Sequence, residues 1–93
     1  MKINFKHIEA QTSFDGSKQI FDTARDLGNL MMFNGSVLLD IGFEDLAKEI
    51  YYSKGEVEVP ERYIPAIVEV MKQSDFTAKI KREVIGLLNR KGE

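Results

Sequence analysis

Side chains able to do chemistry are scarce in this sequence. The one histidine, His7, sits among the alternating residues of "KINFKHIEA". A histidine alone on a strand lacks the partners a general base or a metal ligand needs, and it reads as a surface or edge residue. There is no cysteine, so disulfides, thiolate metal sites and a cysteine nucleophile are excluded. No serine stands in a nucleophile-elbow context. The stretches "DGSK" and "YSKGE" each carry a single glycine, not a phosphate-cradling loop. Asp40, Glu44 and Asp45 form one carboxylate group, and Glu56 and Glu58 form another. Neither has calcium-loop spacing, and the second lines the solvent face of an alternating segment. Without a nucleophile, a base or a metal set, a non-enzymatic protein is expected, with no catalytic residue, no cofactor and no metal.

Two groups of residues point instead to binding. Met32, Phe33 and Tyr52 are apolar or aromatic, and helical phase does not assign them to a core. Methionine and aromatic side chains are enriched at interfaces, so these three are the candidate protein-interaction residues. The second group is basic. Residues 1–70 hold 12 acids against 7 bases, whereas residues 71–93 hold 3 acids against 6 bases. Lys79, Arg82 and Arg90 fall on the polar side of the last helix and are the candidate nucleic-acid contacts. Against that alternative, the isoelectric point is near 5.4, whereas a nucleic-acid-binding domain usually exceeds about 9. An acidic body repels the phosphates a basic stripe would attract. A winged helix would also place its hairpin after the recognition helix, not first. The uneven charge favours self-association through opposite ends. The expected partner is therefore a protein or a second copy, with nucleic acid as the alternative.

The elements that must hold these residues are legible from spacing. A chain of 93 residues makes one domain, 1–93, and buries roughly 60–65% of its unfolded surface. Its first residues alternate and lack the apolar run of a signal peptide. No stretch is long enough to span a membrane. A cytoplasmic protein is expected. Period-two alternation predicts a strand in "KINFKHIEAQTSF", with a parity slip between Phe5 and Ile8 that signals a bulge or bend. Asp15-Gly16 predicts a hairpin tip, with "KQIF" returning. "EVEV", residues 56–59, is either a third short strand beside the hairpin or a lead-in to a helix.

Four helices follow from the 3.6-residue period. The first is capped by Asp22 or Thr23 and faces the core with Ala24, Leu27, Gly28 and Met31. Asn34-Gly35 reads as its C-cap, and Asn34-Gly35-Ser36 also matches a glycosylation sequon. "SVLLDIG" reads as an apolar link packed beneath the domain. The second helix lies in "FEDLAKEIYYS", with Lys54-Gly55 ending it. The third has a loose first turn at "PERY" or a start near Ile64, because Pro65 cannot sit in a helix interior. Ile64, Ile67, Val68 and Met71 line its apolar face. The fourth is "FTAKIKREVIGLLNRKG", capped by Ser74-Asp75, with a buried stripe of Phe76, Ile80, Val84, Leu87 and Leu88. Its tail "RKGE" is expected to fray. The fold class is α+β: a β-hairpin with a third short strand as an option, packed against about four helices.

The stretch "LGNLMMFNGSVLLDIGFEDLAKEIYYSKGEVEVP" resembles small uncharacterised proteins of prophages and related mobile elements of gut anaerobes. They share the order of strand, Asp-Gly turn, "LGN", an "IYYS-GE-VE" segment and a C-terminal amphipathic helix. The resemblance implies a small accessory protein acting in particle assembly or regulation. It carries no catalytic motif and transfers no functional residue.

Overall fold

The computed structural model describes residues 1–33 and 40–90. The slip between Phe5 and Ile8 is where the first extended segment divides. A turn at Phe5 and Lys6 separates β1 (Lys2–Ile3) from β2 (Ile8–Gln11). β2 pairs antiparallel with β3 (Lys18–Phe21), with Ile8 opposite Phe21 and Gln11 opposite Lys18. The hairpin tip lies at Asp15 and Gly16, and Gly16 supplies the positive φ of 94° that the turn requires.

Among the described residues four α-helices follow: α1 (Ala24–Phe33), α2 (Ile41–Tyr51), α3 (Ile64–Gln73) and α4 (Ala78–Leu88). The fold is α+β. The optional third strand exists as β4 (Val57–Glu58), but not beside the hairpin. It pairs antiparallel with β1, so the two strand pairs form separate two-stranded sheets. The turn after Phe5 uncouples β1 from β2 and leaves β1 free to take this distant partner.

Thr23 shows how the pieces are joined. Its backbone N–H and its hydroxyl both donate to the Phe5 carbonyl, at 2.8 and 2.7 Å. Asp22 accepts from the Ala24 N–H at 3.1 Å. The start of α1 is thereby tied to the turn between β1 and β2. Ala24, Leu27, Gly28 and Met31 are buried as their spacing predicts.

Asp40 caps α2, its carboxylate accepting from the Gly42 N–H. α2 ends with Tyr52 as its C-cap, earlier than the predicted stop at Lys54-Gly55. Before α3, a 3₁₀ turn spans Glu61–Tyr63, and Pro65 falls in the first turn of α3, where no intrahelical donor is lost. Val70, not Val68, is fully buried on α3, because the helix turns that side toward the core; Val68 is half-buried.

α4 begins at Ala78, and its cap is Thr77, not Ser74-Asp75. Ser74 closes α3 instead, its hydroxyl donating to the Met71 carbonyl at 2.6 Å. Ile80, Val84 and Leu88 are buried, whereas Phe76 and Leu87 are partly so.

Among the described residues the buried apolar side chains form one cluster. Phe5 and Ile8 from the N-terminal segment meet Leu27, Ile50, Ile67, Met71 and Leu88 from the helices. Phe43 packs edge-on against Tyr63 with ring centroids 5.6 Å apart. α1 packs on α2 and α3, and α4 packs on α3 and β2. The Asn34-Gly35 cap, the sequon, the "SVLL" part of the link and the last three residues of the tail lie outside the described residues.

Candidate functional site

A helix pair can approach closely only where one member carries little side chain. Gly28 of α1 meets Ala47 and Tyr51 of α2 in this way. A Cβ at residue 28 would lie 2.8 Å from the Tyr51 Cβ and 2.9 Å from the Ala47 carbonyl oxygen. The close approach sets the floor of a cleft of about 450 Å³ between the two helices. Met32, Phe33 and Tyr52 line it, together with Asn29, Lys48 and Tyr51.

The three candidate interaction residues therefore share one surface. Phe33 is the last residue of α1 and is 81% exposed; Tyr52 is 75% exposed. Met32 is half-buried beside them. Tyr51 and Tyr52 stack edge to face at 4.8 Å, and the Arg25 guanidinium lies 5.9 Å from the Tyr51 ring centre. These contacts hold the aromatic wall in a defined orientation. Lys48 supplies a positive charge on the cleft wall and forms no ion pair among the described residues. Sequence reasoning missed Gly28, Asn29 and Lys48 as parts of this surface. The signal for Gly28 was its place, with Ala47, among the small residues on the facing sides of two neighbouring helices.

The other sequence candidates do not line this cleft. Lys79, Arg82 and Arg90 are all exposed on or just after α4, away from the cleft. His7 is exposed, with Nε2 3.7 Å from Glu9 Oε1. Asp40 is engaged in capping and accepts a hydrogen bond from the Tyr63 hydroxyl at 2.9 Å. Glu58 pairs with the N-terminal ammonium group. Among the described residues, no three histidine or carboxylate side chains gather as they would around a metal ion. A second surface hollow lies between α1 and the α3–α4 turn, lined by Asp26, Asn29, Leu30, Asp75 and Phe76. Among the described residues no helix is long and apolar enough to cross a membrane.

No protein-family model, curated protein or solved structure matches the chain.

Proposed function

We propose that the protein is a non-enzymatic binding or assembly module whose contact surface is the α1–α2 cleft. The observation that carries this reading is the convergence of Met32, Phe33 and Tyr52 on one cleft, with both aromatic rings mostly open to solvent. Aromatic anchors grouped in a concave apolar site are what interface hot spots are made of. Methionine at the edge adapts to an irregular guest. The guest is a protein segment that presents an apolar side chain next to an acidic one, because the cleft offers aromatic walls and the Lys48 ammonium group. A cytoplasmic location and an accessory role in a phage or mobile element belong to the same proposal. The nucleic-acid alternative rests on three exposed cations of an otherwise acidic chain and ranks below it.

The test is selection from a displayed random-peptide library on the wild-type protein and on Phe33→Ser in parallel. Peptides with an aromatic or aliphatic anchor beside Asp or Glu should be enriched on the wild type and lost on the variant. Equal enrichment on both proteins, or none on either, overturns the cleft as the binding surface.

A further inference from the structure

The distal half of the hairpin stands open to solvent. Every residue from 11 to 20 is exposed, and Phe14 at the tip is fully so. Yet the tip is tightly organised. Phe14 and Asp15 are the central residues of a turn closed by the Gly16 N–H donating to the Ser13 carbonyl at 3.2 Å. The Asp15 carboxylate accepts from the Ser17 N–H at 2.8 Å and from the Ser17 hydroxyl at 2.6 Å. The Thr12 N–H closes the outer ring onto the Ser17 carbonyl at 2.9 Å. An aromatic ring on a pre-ordered turn loses little freedom when it docks, which is the condition under which a single anchor binds well.

The tip and the cleft are complementary. The tip offers a phenylalanine next to a carboxylate. The cleft offers aromatic and methionine walls next to Lys48, which forms no ion pair among the described residues. The hydrogen bonds from Ser17 hold the Asp15 carboxyl below the usual aspartate range. We infer that the occupant of the α1–α2 cleft is the hairpin tip of a second copy, with Phe14 seated between Phe33 and Tyr52 and Asp15 facing Lys48. This inference rests on the cleft being the binding surface, as proposed above. Knob and socket are different surfaces of one chain, so the contact is heterologous. Copies joined this way run head to tail and either close into a ring or extend as a filament. A tip of this size makes a small interface, so each contact is of the weak class, with a dissociation constant on the order of 0.1–1 mM.

Sedimentation over a concentration series, on the full chain, tests it. The wild type should grow beyond a dimer as concentration rises. Phe14→Ser lacks the knob and Phe33→Ser lacks the socket; each should weaken association by at least about tenfold. Both sites are exposed, so both variants should keep the wild-type fold by circular dichroism. Mixing the two variants should restore one knob-in-socket contact and give a heterodimer that grows no further. Asp15→Lys and Lys48→Glu should each weaken association, and the double charge reversal in one chain should recover it. A wild type that stays monomeric overturns the inference while leaving peptide capture by the cleft standing. So does association that survives Phe14→Ser. A Phe33→Ser variant that neither enriches peptides nor differs from a wild type equally inert in selection overturns the cleft itself.

Discussion

Gly28 of α1 and Tyr51 of α2 lie so close that the space of a single methyl group is missing between them. The neighbours of an added Cβ are another Cβ and a backbone carbonyl, not the far end of a flexible chain. An alanine at residue 28 must therefore push the helices apart. Overpacking of this kind costs about 1–3 kcal/mol, against a gain of about 1 kcal/mol from the better helix propensity of alanine. The crowding wins, because backbone cannot rotate away. Gly28→Ala should lower the urea midpoint without changing the slope of the transition.

Gly86 of α4 is the counter-case. Nothing lies within 4 Å of a Cβ built there, and its φ is not positive. Gly86→Ala should stabilise the protein by about 0.5–1 kcal/mol, through helix propensity and a less disordered unfolded chain. For a domain of this size that is a rise in melting temperature of about 2–8 °C. A fall in melting temperature would show that α4 needs flexibility at its centre.

Thr23→Val removes the buried hydroxyl that donates to the Phe5 carbonyl. The carbonyl keeps the Thr23 N–H as a partner at 2.8 Å, so no acceptor is orphaned. The loss should be that of one ordinary hydrogen bond, about 1 kcal/mol. A much larger loss in urea unfolding would mean that the hydroxyl also positions the turn between β1 and β2.

Asp40 gives a pH dependence with a defined sign. The Tyr63 hydroxyl, and after it the Gly42 N–H, hold its carboxyl below the ordinary aspartate range. A carboxylate with a lower value folded than unfolded adds stability in full above its unfolded value, near ~4, and loses it as pH falls through the folded value. Asp40→Asn removes this titration. The variant should be less stable than the wild type at neutral pH, and the gap should narrow between about pH 5 and pH 2. Melting curves at a series of pH values measure it; a constant gap would mean that the carboxylate charge plays no part.

Much of this was legible in the sequence, for reasons that differ by residue. The Asp15-Gly16 tip could be read because few residues other than glycine accept the backbone angle there. The faces of α1 and α2 could be read because their apolar residues recur with the helical period. The Phe5–Ile8 slip announced a break but not its consequence, since pairing of β1 with β4 depends on residues far along the chain. Ser74-Asp75 looked like a cap because side-chain type does not show which way a hydroxyl turns; Ser74 turns back to close α3. Met32, Phe33 and Tyr52 could each be singled out because they fall off the core stripe. That they face one cleft depends on the docking of α1 against α2, which Gly28 permits and no local pattern reveals. Phe14 read as one more strand residue, and only the turn geometry shows it standing at the summit.

β1 and β4 join positions more than fifty residues apart. The other strand pairing among the described residues, β2 with β3, is a local hairpin, which closes at a small entropic cost, while loop closure grows more expensive with the length enclosed. Loop-closure entropy therefore predicts that the hairpin forms first and the long-range seam late. Interactions that form after the rate-limiting step govern how fast a protein comes apart, not how fast it assembles. Trimming Ile3 to valine should leave the refolding arm of a chevron plot in place and raise the unfolding arm, making the seam between Ile3 and Val57 the protein's kinetic latch.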